Sequence, residues 1–451
     1  MGSIATNPRT GNPWKPDDSV FRGEQIGSVG DYPYLSGNAF HLHFEIRKQR
    51  LHSAGSFPCS KPDAYVRARY TEPSAFIALN RPSAPPGAGD GVPWPMFGHD
   101  AQHTSQTPLL GPVPADLTWS FDAGQELGEP PVVGTDGTVY LAGRFSLWAL
   151  SSTGEQQWAI PAGFINASPA LSPAGSTLYV NDFVDGLRAH SVADGSTLWT
   201  RRLGSLCSGP TVDSEGTIYI GSCSGVLYGL DPDGSTRFAT RVSNTGDPNA
   251  DAIHAYPTQS NGGLTYVVTR GGRVFAVDSV GDLVRQYPSS GSLGEVLSTP
   301  AIGSTGELYV PIWAGVARVV AVSASGEEQW RLAHNPETVE QVGFAIAHDG
   351  TLLVQAGEDV MAVDPGTGLV LWEQKGLAAV SGGISIGGDG TIYVSGKDGD
   401  MVLLGPNGST MSAGSGGCFA QGPPVIGIDR SAFVFESSSC GDFLHAFTGS
   451  S

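Results

Sequence analysis

A repeat of about 40 residues occupies the chain from about residue 119 to the C-terminus. Each copy has a short apolar run, a Gly-Thr-x-Tyr step or a variant of it, a second run with glycine, and a stretch that ends in an aromatic residue. Copies spaced by about 39 to 47 residues and built from strand-like runs are typical of propeller blades. The residues that align the copies are Tyr140, Tyr179, Tyr219, Tyr266, Tyr309, Leu353, Tyr393 and Phe433. Eight copies therefore predict an all-β, eight-bladed β-propeller.

Turn residues divide each copy into four strands. The third copy, for example, has the turn Asp231-Pro232-Asp233-Gly234, whose residues suit a tight turn before a fourth strand. The eighth copy stops after three strands, near Phe447. The segment 117–121 precedes the first copy and has the fourth-strand pattern, so we expect it to complete blade eight. Pairing of the two chain ends would close the ring and leave no free sheet edge.

Tryptophans recur at the end of the fourth strand. A large aromatic side chain repeated at this position most simply packs one blade against its neighbour, because a four-stranded sheet cannot bury its face alone. The third copy has Phe238 there instead. The five tryptophans with this predicted role are Trp119, Trp158, Trp199, Trp330 and Trp372.

Four of the five cysteines are placed symmetrically about two hairpins. Cys207 and Cys223 flank the first hairpin of blade three, and Cys418 and Cys440 flank that of blade eight. Directly opposed residues of an antiparallel pair lie at a separation that a disulfide can span. The sequence therefore predicts two cross-strand disulfides and an oxidising compartment, while Cys59 remains without a predicted partner.

Composition excludes several classes of protein. A net charge of −19 argues against a nucleic-acid partner, because phosphate binding requires a basic face. No apolar run approaches the roughly 18 residues that a membrane-spanning helix needs. The 63 glycines and a charged fraction of only 15% fit many short strands and turns. We expect a monomer with no membrane span.

The repeats resemble those of PQQ-like, quinoprotein-type propeller proteins. The resemblance is carried by Gly137-Thr138-Val139-Tyr140, by Ala-Val-Asp-Pro-Gly-Thr-Gly at 362–368, by Trp372 and by the lead-in that starts at Trp94. Quinone-dependent alcohol dehydrogenases of this architecture carry an adjacent cysteine pair and calcium-binding acidic residues. This sequence has no adjacent cysteines, so the resemblance implies a binding or scaffolding module without PQQ, similar to members that dock envelope proteins. A quinone-dependent dehydrogenase is the third interpretation.

The first 79 residues are predicted to be a different domain. In Phe40-His41-Leu42-His43-Phe44, strand alternation places both histidines on one face, roughly 6.6 Å apart along the backbone. Two histidines on one face suit a zinc hydrolase, with one as a metal ligand and one handling protons at metal-bound water. An isolated His-x-His on a strand more often has no such role.

The surrounding sequence resembles the C-terminal half of lysostaphin-type (LytM-like) zinc endopeptidases, which cut peptidoglycan cross-bridges. The resemblance rests on the Gly-Glu-x-Ile-Gly step at 23–27, the His-Leu-His-Phe-Glu-Ile-Arg run at 41–47 and the Pro-Ser-Ala-Phe-Ile step at 73–77. It implies that His43 binds zinc and that His41 is catalytic. The family's other two ligands come from an upstream His-x-x-x-Asp, and no histidine precedes His41 here. His43 alone would hold zinc weakly, so we expect no activity from this segment by itself.

Two explanations remain open for this partial domain. Either the chain is a fragment of an active zinc endopeptidase that uses its propeller for targeting, or the domain is the remnant of a peptidase. Residues 1–19 lack the apolar core of a signal peptide, whereas disulfides and a wall substrate both require export, which favours the fragment. The prediction is a truncated peptidase domain at 1–79, a Pro/Gly-rich linker and lead-in at 80–116, and the propeller at 117–451. We place the protein outside the cell or in the envelope of a bacterium.

The longest copy suggests where a partner would bind. Its additional residues, 243–254, lie between the last strand of blade three and the first strand of blade four. Connections of this kind emerge on the face where propellers usually bind. Asp247, Asp251 and His254 are the candidate contacts with a protein or cell-wall partner, although a tolerated surface insertion is the simpler explanation of the extra length.

Overall fold

The computed structural model describes residues 93–449 except 184–185, 297, 314–316, 335–341, 380–381, 397–399, 415–419 and 439–440, together with 46–47 and 70–71. The chain divides into two compact units, Met1–Ser83 and Ala84–Ser451. In the first unit, Ile46–Arg47 pairs with Tyr70–Thr71 as an antiparallel ladder in which Ile46 lies opposite Thr71. The second unit holds the propeller.

The first four blades are antiparallel sheets whose strands pair in chain order. Blade one consists of Val132–Val133, Val139–Gly143, Ser146–Leu150 and Gln156–Pro161. Blade two consists of Ala170–Leu171, Thr177–Asp182, Gly186–Ser191 and Thr197–Arg201. Blade three consists of Thr211–Val212, Ile218–Gly221, Val226–Leu230 and Thr236–Arg241. Blade four consists of Thr258–Gln259, Thr265–Thr269, Arg273–Val277 and Leu283–Tyr287, and the short helix Pro248–Asp251 precedes it.

The remaining four blades repeat this arrangement. Blade five has a first strand in two pieces, Glu295–Val296 and Ala301–Ile302, followed by Leu308–Trp313, Ala317–Val322 and Glu328–His334. Blade six consists of Val342–Ile346, Leu352–Ala356, Asp359–Val363 and Val370–Gln374. Blade seven consists of Ile384–Ile386, Ile392–Ser395, Met401–Leu404 and Thr410–Gly414. Blade eight consists of Ala420–Ile426, Ser431–Ser438 and Gly441–Thr448, with Asp116–Asp122 as its fourth strand. The predicted all-β, eight-bladed propeller is confirmed.

The ring closes through the two ends of the propeller chain, as the strand count predicts. Asp116–Asp122 pairs antiparallel with Gly441–Thr448, so that Trp119 lies opposite Ala446 and Phe121 opposite Leu444. A strand from the N-terminal side thus completes a sheet made from the C-terminal side. Unfolding of the ring must break this pairing, because blade eight has no other fourth strand among the described residues.

The fourth-strand tryptophans join neighbouring blades. The indole N–H of Trp158 donates to the carbonyl oxygen of Val192 in the next blade, with 2.9 Å between the two atoms. Trp119, Trp199, Trp330 and Trp372 make the same bond to Ser152, Pro232, Pro365 and Pro406, at 3.0, 3.0, 2.8 and 3.2 Å. The predicted role of the five tryptophans is therefore confirmed. In blade four the equivalent residue is Arg285, which donates to the carbonyl oxygen of Ala324 in blade five.

The meander gives the propeller two distinct faces. We call the end at which each first strand begins the upper face; it carries the connections between blades and the loops between second and third strands. The turns after the first and third strands form the lower face. Core clusters lie mainly between adjacent blades, as with Leu147 of blade one and Leu178 of blade two. Among the described residues, no helix has the length and apolarity that a membrane crossing requires.

The lead-in segment crosses the central channel near the lower face. We call residues 94–109 the plug. Its backbone pairs in turn with the inner strands of several blades, at Val133, Leu171, Gln259, Ile302, Ile346 and Ile386. Each of these residues is at or next to the end of a first strand, so the plug crosses the channel below the level at which the strands begin. Asp100, which is fully buried, fixes the turn by accepting bonds from the backbone N–H groups of Gln102 and Thr104 at 3.1 and 3.0 Å.

Candidate functional site: the upper face and its central cup

A cavity of about 210 Å³ lies in the channel above the plug; we call it the cup. Its walls come from residues at or before the first strands of blades one, four, five, six, seven and eight. Several wall positions are glycines, including Gly128, Gly343 and Gly383, so backbone forms much of the surface. Gly128 and His254 are exposed and mark its mouth on the upper face. Phe97, His103 and Ser105 of the plug line the cup on the side away from this mouth.

An aromatic pair and a histidine lie where the plug meets the cup. Phe97 of the plug stacks on Tyr256 of blade four, with ring centroids 4.6 Å apart and planes at 10°. The Tyr256 hydroxyl accepts a bond from the backbone N–H of Ser168 at 2.7 Å. His103 has its two ring nitrogens 2.9 and 3.2 Å from the carbonyl oxygens of Phe97 and Pro257. Burial lowers the pKa of His103, which favours the neutral ring, so that only one of these carbonyls receives a proton at a time.

Glu129 is the one carboxyl group among the described residues that line the cup. It lies in the connection that leads into blade one and is only partly exposed. Burial raises its pKa to about 8, because the ionised form loses water in this position. The same burial, and after it the charge of Glu129, raises the pKa of the Tyr256 phenol well above its ordinary value. Strongly perturbed groups that meet in a cleft are candidates for function.

The insertion before blade four folds against the disulfide hairpin of blade three. The side chain of Asp247 caps the helix Pro248–Asp251 by accepting a bond from the Asn249 N–H at 3.0 Å. Ile253 is fully buried and donates its backbone N–H to Ser222 at 3.1 Å. The insertion is therefore an ordered part of the upper face, and its last residues, His254 to Tyr256, continue into the cup wall.

The three residues predicted as partner contacts in this insertion have different environments. Asp251 is buried and accepts bonds from the Ser243 hydroxyl at 2.5 Å and from the Thr245 N–H at 2.9 Å. Burial alone would raise the pKa of Asp251, but these bonds together outweigh it and lower the pKa. Asp247 and His254 are exposed. Asp251 thus holds the loop together, and the other two are the members accessible to a partner.

The predicted Cys207–Cys223 disulfide is present, with 5.0 Å between the Cα atoms. It joins the start of blade three to the loop after its second strand, on the upper face beside the insertion. Cys418, Cys440 and Cys59 lie outside the described residues, so the second disulfide remains a prediction. His41 and His43 lie outside them as well.

Three phenylalanines form a row along the upper face of blades one and two; we call it the aromatic row. Phe145 and Phe183, in the loops after the second strands, are 53% and 47% exposed. Phe164, in the connection between the blades, lies between them, with ring centroids 6.4 Å from Phe145 and 6.1 Å from Phe183. The Arg144 guanidinium lies 4.9 Å from the Phe164 ring centroid and 2.5 Å from the Glu126 carboxylate.

Sequence reasoning missed both the cup and the aromatic row. Glu129 lies in a connection with no motif, and nothing in the sequence places it beside the plug. The row has a weak signal, because Phe145 and Phe183 occupy equivalent loops of consecutive copies, about one blade period apart. Phe164 lies midway between them in the sequence, in the connection between the two blades, and all three loops meet at one face.

The cup residues do not fit a quinone cofactor of the PQQ type. Such a cofactor carries several carboxylates, which require cationic partners. The described residues that line the cup include no lysine or arginine, and they include Glu129. No group of three or more metal-ligating side chains occurs within the described part of the chain.

The chain was compared with known families and structures. The family profile described as "Outer membrane protein assembly factor BamB" matches residues 113–204, 185–311 and 315–410, which together are more than half of the chain. BamB from Moraxella catarrhalis has a similar structure, with a TM-score of 0.57, 18% identity, and coverage of 74% of this chain and 97% of that one. Quinohemoprotein alcohol dehydrogenase from Comamonas testosteroni has a TM-score of 0.64 at 14% identity, covering 84% and 82%. A europium-containing methanol dehydrogenase has a TM-score of 0.64 at 12% identity, covering 83% and 100%.

At these identities the solved structures show a common fold. No curated protein sequence matches the chain. The family assignment therefore rests on the repeat profile, on the eight four-stranded blades and on the tryptophans that join them. This chain belongs to the PQQ-like repeat family described as outer membrane protein assembly factor BamB.

Proposed function

We propose that the propeller is a protein-binding module and that its partner docks on the aromatic row. The observation that carries the proposal is the ring-to-ring contact of three phenylalanines, two of which expose about half of their surface. Aromatic side chains and arginine are enriched at protein interfaces, where they supply large rigid contact areas. Arg144 extends the row with a charged group.

Within the described part of the chain, none of the other large exposed hydrophobic side chains is aromatic, and three of them, Leu369, Val370 and Leu371, are consecutive. Among the described residues, they include Val280 and Leu369 in lower-face turns and Leu198 and Leu371 on outer strands. Single exposed apolar residues are ordinary on a protein surface, whereas a contiguous patch marks an interaction site. Leu369 to Leu371 are contiguous too, but they lack the aromatic rings that are enriched at interfaces, so we favour the upper face as the docking surface.

An oxidising compartment supports an envelope role. The Cys207–Cys223 disulfide persists only where thiols are not kept reduced. The family profile that matches this chain is described as an outer membrane protein assembly factor. We propose on these grounds that the protein works in a bacterial envelope or outside the cell, as a monomer with one partner protein or wall component on its upper face.

Site-specific photocrosslinking in the native host tests this function. A benzoylphenylalanine placed at Phe145 or Phe183 is expected to yield one discrete crosslinked protein. The same group at Val280 or Leu371, which are exposed apolar positions elsewhere, is the matched control. Discrete adducts from the control positions but not from the row would assign the docking surface elsewhere. Absence of adducts from all four positions would argue against a protein-binding function.

The second function that we propose is peptidoglycan endopeptidase activity, with the His41-Leu42-His43 motif supplying the active-site histidines. The observation that favours it is that the sequence just after this motif, Ile46–Arg47, is in a β-ladder, as a strand-borne His-x-His requires. On this proposal residues 1–79 are the peptidase part, residues 80–116 connect it to the propeller, His43 binds zinc and His41 acts on the bound water.

Zinc analysis of the full chain tests the peptidase proposal. The zinc content of the purified protein should fall in His43→Ala and remain in His52→Ala, a control histidine outside the motif. Equal zinc in all three proteins, or none in the parent, would contradict the ligand role of His43. No release of new amine termini from purified peptidoglycan is expected from this chain, because His43 alone holds zinc weakly. Release that is lost in His43→Ala would contradict that expectation.

A further inference from the structure

The described lining of the cup contains one carboxyl group, Glu129, and no lysine or arginine. Glu129 has no hydrogen-bond or ion-pair partner among the described residues, although neighbouring carboxylates such as Glu126 and Glu295 are paired with arginine. The other titratable groups that line the cup are His103, His254 and Tyr256. Burial lowers the pKa of both histidines, so neither one supplies a fixed positive charge at neutral pH.

The electrostatics favour a cationic ligand. The whole chain carries a net charge of −19, and a cleft lined by one sign of charge concentrates the opposite ion. An anionic ligand would meet Glu129 without any lysine or arginine among the described lining residues. A neutral ligand would leave a buried carboxylate uncompensated above its pKa, which is costly.

The aromatic groups also favour a cation. Phe97 is partly exposed and lines the cup, and the ring of Tyr256 lies parallel to it. A cation within about 6 Å of an aromatic face is attracted by the ring quadrupole, most strongly where water is excluded. Plug residues line the cup on the side of the lower face, and Gly128 and His254 mark its mouth on the upper face, where a ligand can enter.

The volume of the cup limits which cations it can hold. The cup volume of about 210 Å³ is smaller than the roughly 300–1,000 Å³ of sites for drug-sized ligands. A single carboxylate with aromatic surface suits a compact charge on an apolar stem, which is the form of an alkylammonium. We propose that the cup binds a primary alkylammonium group, with Glu129 as its counter-ion and Phe97 and Tyr256 beside its stem.

Such a group has two sources, a free small amine or a lysine side chain of a protein partner. Isothermal titration of the full-length protein with n-butylammonium tests binding of a free small amine. Titration with N-acetyl-lysine methylamide tests binding of a lysine side chain. The same compound acetylated on its side-chain nitrogen is the neutral control. Preference for the lysine compound over butylammonium assigns the source to a protein. The reverse preference assigns it to a metabolite.

Glu129→Gln is expected to weaken ammonium binding at least tenfold. Glu126→Gln, three residues earlier on the same face, is the matched control and should leave the affinity unchanged. Near-ultraviolet circular dichroism and the melting temperature establish that both variants are folded. Equal affinities for all three proteins, or no binding of either amine to the parent, would overturn the proposal. Tighter binding of ethylguanidinium would also overturn it, because the class of cation would then be different.

The pH dependence supplies a second readout that a structural role would not produce. A bound ammonium requires ionised Glu129, whose pKa burial holds at about 8, so binding below that pH releases a proton. The apparent affinity should therefore rise about tenfold per pH unit between pH 6 and 7. Glu129→Gln should show no such rise, and a parent protein whose affinity is flat over this interval would contradict the assignment.

Discussion

The hydroxyl of Ser120 lies 2.7 Å from Nδ1 of His445, so a side-chain hydrogen bond joins the two strands that close the ring. Nε2 of the same imidazole lies 3.3 Å from the Glu436 carboxylate in the adjacent strand. The side chains of His445 and Glu436 are almost fully buried. One imidazole therefore connects all three strands at the point where the chain ends meet.

Loss of this imidazole should weaken ring closure. Ser120→Ala is expected to lower the free energy of unfolding by about 1 kcal/mol, the usual value of one hydrogen bond. His445→Leu removes both contacts and should cost about 2–3 kcal/mol. Urea denaturation measures both, with Ser214→Ala in an exposed turn as the control. A His445→Leu protein as stable as the parent would show that strand pairing alone closes the ring.

The tryptophans that join blades should contribute through both packing and their N–H groups. Trp158→Phe keeps most of the ring but removes the bond to Val192, so we expect a loss of about 1 kcal/mol. Trp158→Ala also opens a gap between blades one and two and should cost about 3 kcal/mol or more. Leu198→Ala, on an exposed outer strand, is the control and should change stability little. Equal stability of the Trp158→Phe and Trp158→Ala proteins would contradict the packing role.

Alanine substitutions at two glycines can distinguish the cost of steric contact from the cost of backbone strain. Gly154 and Gly124 both have positive φ, at 84° and 62°. A Cβ on Gly154 would lie 2.7 Å from the Trp119 ring, whereas a Cβ on Gly124 would meet nothing within 4 Å. We expect Gly124→Ala to cost about 1 kcal/mol from strain alone, and Gly154→Ala to cost at least about 1–3 kcal/mol more. Calorimetric melting of the two variants tests the difference, and similar melting points would contradict it.

The raised pKa of Glu129 predicts a stability that falls with rising pH. The folded protein keeps a proton on this group up to about pH 8, whereas the unfolded chain loses it near 4.5. The contribution is therefore fully present below 4.5 and is lost as the pH rises through 8. Glu129→Gln should remove this loss and become more stable than the parent at pH 9, on the order of 2 kcal/mol after discounting for partial exposure.

Chemical denaturation of the parent and Glu129→Gln at pH 4 and pH 9 measures this difference. At pH 4 the two proteins should be equally stable, because the carboxyl is then neutral in both states of the parent. Glu126→Gln is the exposed control. A constant difference between the parent and Glu129→Gln at both pH values would show that the substitution acts through packing rather than through charge.

The disulfides can be assigned by peptide mapping under non-reducing conditions. We expect a Cys207–Cys223 link, as the structure shows, and a Cys418–Cys440 link from the same symmetry in the sequence. Removal of the first by Cys207→Ser together with Cys223→Ser should cost about 3 kcal/mol by loop closure. Ready alkylation of all five cysteines in the folded, unreduced protein would contradict both links and the export argument that rests on them.

The sequence by itself determined the features that repeat. Blade number follows from the recurrence of the aromatic step, ring closure from the missing fourth strand of the last copy, and the blade-joining tryptophans from their fixed place in each copy. Cys207 and Cys223 could be paired because their positions are symmetric about one hairpin. All of these are local patterns, since a blade is a meander whose strands pair in chain order.

Only the tertiary structure decided what lies inside the ring and on its upper face. His103 reaches the carbonyl oxygen of Pro257, which is 154 residues away, and Gln102 reaches that of Gln259. Such contacts leave no period in the sequence, because the plug passes each blade once. The pKa of Glu129 is likewise a property of burial, which depends on how segments from six blades converge with the plug. The repeated sequence pattern therefore predicts the blades, whereas the cup forms only where segments that are distant in the sequence converge in the folded protein.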